Sequence, residues 1–306
     1  MLQIENPYAP LEQINLTDFN NKGVSLYLKR EDLSHPFISG NKWRKLKHYL
    51  LEAERQNKKT LVTYGGAYSN HLLATAAAGA KYGFKSFGFV RGELVKNPLL
   101  DLCELFGMQL SFVSREDYKD KEHLFSINFG SNQNAFNIPE GGGGHLGELG
   151  IEAVVKDLLL GPWNLKSNST NNLQNHALHL FAAVGTGSTL RGLLKGINNQ
   201  ELNIKAHGIV VLKGAEEMAN DYLAFNPNSF ELHHRFHGGG YGKINQETKD
   251  YIKKFASQTG ILLDPIYEAK MLMGITTLVN ENYFEPGSQL CALHNGGLVG
   301  LLSGKV

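Results

Sequence analysis

The chain has 306 residues, 42% of them apolar and 19% charged, with 30 basic against 29 acidic side chains and a formal charge of +1. This is the composition of a folded globular protein with a sizeable core, and it carries no net field toward nucleic acid or an anionic membrane. Its 34 glycines, roughly half again the usual share, call instead for tight turns or close backbone approach to a ligand, so small-molecule chemistry is the better expectation.

Cys103 and Cys291 stand far apart in apolar settings, which is not the pattern of a disulfide scaffold; both are expected to be buried and reduced. The first residues lack a basic patch followed by an apolar run, and no stretch approaches the roughly 18 apolar residues of a membrane span. The expected address is therefore cytoplasmic, with neither nucleic acid nor membrane as partner.

After a polar arm, Ser25 to Leu28 reads as a short strand, and a Gly-Asn turn with Asn41 as candidate N-cap opens a helix over Lys42–Arg55. A βα rhythm follows: strand Thr60–Tyr64, helix from Asn70, strand Ser86–Val90, helix from about Pro98, strand Gln109–Phe112 and helix from about Arg115. A second block begins near Gly147 with helix Glu148–Leu160, strand Leu178–Val184, helix from Ser188, strand Ala206–Leu212 and a helix after Gly214. Such alternation argues for parallel sheets, and the sheet is expected to be built twice. The polar run Asn164–Asn175 reads as a solvated loop without chemistry, and Gly141–Gly144 as either a hinge or backbone held close to a ligand.

Several segments carry candidate chemistry. Gly185-Thr186-Gly187-Ser188-Thr189 lies between an apolar strand and a helix, where free amides and the helix dipole suit a phosphate. A tight turn without a ligand is the alternative, and the spacing is neither that of a dinucleotide site nor of a Walker loop. Ser69-Asn70-His71 forms a second strand–Gly–polar turn at a helix start. Ser69 there is an N-cap or a site residue; Asn70 can donate to a phenolate, and His71 can move protons. Lys42 and Lys45 occupy a first helical turn, where cations oppose the dipole unless an anion is near, or else form an exposed basic face. Tyr267 and Glu268 are adjacent at a helix start, Tyr241 is enclosed by glycines, and Asn295 follows an apolar run ending at Leu293. Among twelve histidines no His/Cys set has zinc spacing, so no metal is expected.

Taken together, Gly40-Asn41-Lys42-Trp43-Arg44-Lys45-Leu46, Ser69-Asn70-His71, Gly185–Thr189, Gly240-Tyr241-Gly242 and Asp264-Pro265-Ile266-Tyr267-Glu268 resemble the motif set of one family. It is the 1-aminocyclopropane-1-carboxylate deaminase / D-cysteine desulfhydrase family of tryptophan-synthase-β-like, fold-type II pyridoxal-phosphate enzymes. The resemblance runs from about Tyr27 to His294 with the motifs in the family's order. It implies two three-layer α/β domains with mostly parallel sheets, the larger of residues 1–44 and 138–306 binding pyridoxal 5'-phosphate and the smaller of residues 45–137 inserted into it, and a homodimer. It further implies that Lys42 links to the cofactor, Asn70 meets its phenolic oxygen, and Lys45 with Gly185, Thr186, Gly187, Ser188 and Thr189 holds its phosphate. Glu268 would stand beside the pyridine nitrogen. Ser69, Asn70, His71, Tyr241, Tyr267 and Asn295 would contact a small amino acid, with Ser69 and the tyrosines as candidate nucleophile or acid/base.

Two reactions share this scaffold: opening of 1-aminocyclopropane-1-carboxylate to 2-oxobutyrate and ammonia, and conversion of D-cysteine to pyruvate, sulfide and ammonia. In the family an acid at the Glu268 position goes with deaminases, whereas His at the His71 position goes with desulfhydrases, and Asn295 fits neither pattern. The deaminase is the leading expectation and the desulfhydrase the alternative. Outside that class stand a catalytically silent cofactor-binding protein and, from the βα rhythm alone, a nicotinamide-dependent oxidoreductase.

Overall fold

Apolar runs bounded by glycine and polar turns become ten strands among the described residues of the computed structural model, which are 2–5, 7–163, 178–240, 242–298 and 301. The strands are β1 (Leu11–Ile14), β2 (Ser25–Lys29), β3 (Thr60–Gly66), β4 (Lys85–Arg91), β5 (Met108–Val113), β6 (Ala135–Asn137), β7 (Leu178–Val184), β8 (Ile204–Val210), β9 (Phe230–His233) and β10 (Gln289–Leu293). The helices between them are α1 (Thr17–Asn21), α2 (Asn41–Arg55), α3 (Asn70–Tyr82), α4 (Pro98–Leu105), α5 (Lys121–Phe129), α6 (His145–Leu158), α7 (Ser188–Asn199), α8 (Gln246–Thr259) and α9 (Glu268–Asn280). Asn164–Asn175 lies outside the described residues.

Two sheets form, as the doubled rhythm predicts. One has six strands in the order β1-β2-β10-β7-β8-β9, parallel except for the β1–β2 pair; the other has the order β5-β4-β3-β6 and is parallel throughout. Buried parallel strands need cover on both faces. In the six-stranded sheet one face packs on α9 and α8 through Phe181, Ile209, Met271, Ile275 and Phe255, and the other on α6 and α7 through Leu180, Ala206, Val154 and Leu193. In the smaller sheet Leu61 packs toward α2 and α3, and Val62, Tyr64 and Phe89 toward Leu124 of α5. Cys103 and Cys291 are buried and free, and burial pushes both thiols up to about 12.

Several local expectations need correction. Gly40, not Asn41, caps α2, because the chain enters the helix at φ +65°, and Asn41 is its first residue. The helix expected from Arg115 begins only at Lys121, after a 3-10 turn over Asp117–Lys119; Asp120 caps it by accepting the His123 amide. The segment after Gly214 is a 3-10 stretch, Glu216–Tyr222, rather than an α-helix. Gly141–Gly144 is no open hinge: Tyr49 donates its hydroxyl to the Gly143 carbonyl, and a Cβ on Gly142 would lie 3.3 Å from Lys45 and 3.4 Å from His71.

Candidate active site

The carboxyl ends of both sheets open on one cavity of about 480 Å³, the place where ligands sit in open α/β sheets. β3 ends there with Gly66, β4 with Arg91, β7 leads into Gly185, and the turn after β10 brings Asn295. Gly40 makes the closure possible: a Cβ there would stand 1.8 Å from the Asn295 carbonyl oxygen, so glycine lets the start of α2 close on the turn after β10. Asn41 is thereby drawn into the cavity, where its Nδ2 donates to Thr189 Oγ1 (3.0 Å).

Cations gather at one end. Lys45 is 1% exposed and donates through Nζ to Ser188 Oγ (2.7 Å) and the Gly141 carbonyl (3.4 Å); Ser188 Oγ also meets Thr186 Oγ1 (3.2 Å). Burial, then the charges of Lys42 and Arg191, hold the Lys45 pKa well below its ordinary value despite the opposing Glu148. Gly187 caps α7 at φ +80°, where a Cβ would fall 2.7 Å from the Tyr222 hydroxyl. The first amides of α7 have no intrahelical acceptor and point out of the helix toward the same end. Two further cations are in other company: Arg191 and Lys195 each hold Glu148 at 2.7 Å.

Lys42 stands between this end and an acidic one. Burial pulls its pKa down to about 8 against the pull of Glu268, and among the described residues its Nζ has no hydrogen bond or ion pair. Glu268 opens α9, 2% exposed, and accepts the Asn295 amide at Oε1 (3.2 Å). Asp264, 1% exposed, accepts the amides of Ile266 (3.1 Å) and Tyr267 (2.6 Å) at Oδ2. Burial raises both carboxyls, Asp264 to about 6 despite those amides, and Glu268 well above the usual carboxylate range with Asp264 adding to the rise. The pair therefore tends to keep a proton.

The third wall is the start of α3. Ser69 occupies the N-cap position but makes no capping bond, which leaves its hydroxyl for the cavity. Thr63 Oγ1 donates its only proton to the Ile138 carbonyl (2.9 Å), so its 2.9 Å contact with His71 Nε2 has the imidazole as donor. His71 Nδ1 then carries the lone pair, buried and without a partner. Burial, followed by Lys42 and Lys45, keeps this histidine well below its ordinary pKa and hence neutral.

Lys42, Lys45, Ser69, Asn70, His71, Gly185, Thr186, Gly187, Thr189, Tyr267, Glu268 and Asn295 thus line one cavity, and Ser188 reaches it through Lys45. Tyr241 lies outside the described residues. The sequence alone assigns no role to Asp264 or Arg91; Asp264 enters only as the first residue of the motif ending at Glu268. Elsewhere the fold gathers His207, Glu231 and His233 within 4.8 Å of one another, a set that no linear spacing reveals. Their atoms are already engaged: His207 bonds His233 (3.0 Å) and His179 (2.9 Å), while Lys205 (3.0 Å) and Tyr283 hold Glu231.

Comparison with known proteins places this cavity in context. The profile of the family described as "Pyridoxal-phosphate dependent enzyme" matches residues 3–296. A Thermotoga maritima protein provisionally named as a 1-aminocyclopropane-1-carboxylate deaminase is 32% identical over 92% of this chain and 91% of its own length. A mitochondrial bifunctional D-cysteine desulfhydrase/1-aminocyclopropane-1-carboxylate deaminase of Arabidopsis thaliana is 31% identical over 96% of this chain and 77% of its own. The solved structure of an ACC deaminase homologue superposes with a TM-score of 0.79 at 25% identity, covering 95% of this chain and 90% of that one.

Proposed function

Because the chain belongs to the pyridoxal-phosphate dependent enzyme family, we propose that it is a lyase of small amino acids that opens 1-aminocyclopropane-1-carboxylate to 2-oxobutyrate and ammonia. The residues present fit the family's cofactor. A basic end with free helix amides suits a phosphate, a buried amine of depressed pKa suits an aldehyde, and a proton-keeping acid pair suits a ring nitrogen. Two buried polar atoms, His71 Nδ1 and Asn295 Oδ1, also lack hydrogen-bond partners, which is costly unless a ligand meets such groups.

In this reading Lys42 attaches the cofactor and later takes or returns a proton at Nζ, a task that its pKa of about 8 suits. Lys45, Thr186, Ser188, Thr189 and the backbone of Gly185 and Gly187 hold the phosphate, and Asn70 donates to the phenolic oxygen. When bound, pyridoxal phosphate supplies an electron sink for charge leaving the substrate. Glu268, supported by Asp264, keeps a proton on the ring nitrogen. Ser69, Asn70 and His71 receive the substrate carboxylate at the positive end of α3, with Asn295 beside them. The cyclopropane has no α-proton, so opening begins at a ring carbon; Ser69, Tyr241 or Tyr267 supplies the attacking or proton-transferring oxygen.

The observation that carries the reading is Lys42, a buried lysine with no ion-pair partner among the described residues, set beside a raised acid pair in a cavity with a basic end. A second reading, D-cysteine desulfhydration to pyruvate, sulfide and ammonia, is favoured by His71, whose free Nδ1 is an acceptor in the same cavity. We further assign residues 1–44 with 138–306 to a cofactor-binding domain and 45–137 to a smaller one, since every strand of the four-stranded sheet falls within the latter. A cytoplasmic homodimer completes the proposal; the two buried free thiols suit a reducing compartment. The deciding assay supplies the cofactor-loaded protein separately with 1-aminocyclopropane-1-carboxylate, D-cysteine and L-cysteine. Dominant 2-oxobutyrate supports the deaminase, and dominant pyruvate with sulfide replaces it by the desulfhydrase.

A further inference from the structure

A second cavity, of about 980 Å³, opens beside the first, and the two share Gly66, Tyr68 and Arg91. Leu94, Val95, Phe112 and Ile266 give it apolar wall, and its charged lining is two arginines, Arg91 and Arg115, against one acid, Glu93. Among the described residues neither arginine forms an ion pair with a carboxylate. Arg91 ends β4 and is steadied on one side, its Cζ lying 5.5 Å from the centre of the buried Tyr118 ring. Arg91 is exposed overall, but its Nη2 stands 3.9 Å from where a Gly66 Cβ would be, so the guanidinium borders the reaction cavity.

A substrate with a single carboxylate leaves this cation without work. The start of α3 already offers that carboxylate the uncommitted Ser69 hydroxyl and helix amides lacking intrahelical acceptors. Neither 1-aminocyclopropane-1-carboxylate nor D-cysteine carries a second carboxylate or comparable oxyanion, and neither has a side chain that needs the adjoining volume. From these observations we infer that the preferred substrate is an amino acid whose side chain bears a second oxyanionic group, and that Arg91 receives it. This rests on the amino-acid lyase reading above and makes 1-aminocyclopropane-1-carboxylate and D-cysteine secondary substrates of the same site. A planar guanidinium can meet a carboxylate through two parallel hydrogen bonds, which gives direction as well as charge. The α-carboxylate at α3 and the side-chain oxyanion at Arg91 would then fix the substrate at both ends.

Alanine and aspartate differ by the carboxylate in question, so binding of each enantiomer of both to the cofactor-loaded protein is followed through the change in cofactor absorbance. One enantiomer of aspartate is expected to bind at least about tenfold more tightly than the same enantiomer of alanine. Arg91→Met should bring that ratio to about one, and Arg91→Lys should restore part of it. Equal or weaker binding of aspartate, or a ratio that survives Arg91→Met, overturns the inference while leaving the lyase reading intact if 1-aminocyclopropane-1-carboxylate or D-cysteine still turns over. A protein that takes up no cofactor, or that neither responds to these amino acids nor turns over 1-aminocyclopropane-1-carboxylate or D-cysteine, removes both.

Discussion

Two faces of α2 handle positive charge in opposite ways. On one, Arg44 is 3% exposed and fully answered, holding Glu31 through Nε and Nη2 (2.7 Å each) and Asp157 through Nη2 (2.6 Å). On the other, within the same turn, Lys42 has no partner among the described residues, and Lys45 has only a hydroxyl and a carbonyl. Burial bears on all three, yet it leaves Arg44 charged, with its pKa raised by Glu31 and Asp157, and depresses both lysines. A charge that the fold completes is structural, and one that it leaves incomplete is reserved for something that arrives later.

The contrast can be broken from either side. Lys42→Ala should cost the most, lowering kcat on the order of 10³-fold and abolishing the cofactor's visible absorbance while far-ultraviolet circular dichroism stays unchanged; a normal spectrum would end the assignment. Arg44→Met strands Glu31 in the interior and should lower stability by about 3–5 kcal/mol, read as a fall in the urea midpoint of the cofactor-free protein. Lys45→Met should weaken cofactor binding by about tenfold or more in a titration of the cofactor-free protein, with little loss of stability.

Two subtler tests sharpen the same comparison. In the cofactor-free protein the Lys42 pKa is about 8, below its unfolded value, so the unfolded chain binds more protons between there and about 10.4. Lys42 therefore disfavours folding below pH 8, and the penalty fades as pH rises through that window. Lys42→Met should raise the melting temperature by a few degrees at pH 7 and by less at pH 10; an equal gain at both would contradict the buried-charge account. Ser188→Ala removes one neutral hydrogen bond to Lys45 and should shift cofactor affinity by about fivefold.

Much of the fold was legible because long buried strands and amphipathic helices write themselves as periodic apolar runs. Leu178–Val184 matches its strand residue for residue, and the apolar run ending at Leu293 is β10. β1, β6 and β9, of four, three and four residues, carry no period long enough to read and owe their existence to the neighbouring strand's backbone. α8 is a different miss, since its signals are present: Asn245 accepts the Thr248 amide, and Gly260 ends the helix in the left-handed region. In the site, the glycine turns and the Lys42–Lys45 spacing could be read locally. The raised state of Asp264 and Glu268, the free nitrogen of His71 and the place of Arg91 could not, because each depends on what the tertiary fold sets against it.

One consequence of the sheet order concerns the growing chain rather than the finished one. β2 and β10 pair directly, although Leu26 and its partner Leu290 stand 264 positions apart in the sequence, and β10 then joins β2 to β7. The four-stranded sheet is complete once residue 137 has left the ribosome, whereas the six-stranded sheet lacks an interior strand until residue 293 has followed. Until then β2 and β7 expose unpaired edges, the condition that invites wrong pairing. β10 is thus the keystone: it closes the larger sheet and, through the turn that carries Asn295, delivers a wall of the cavity in the same event.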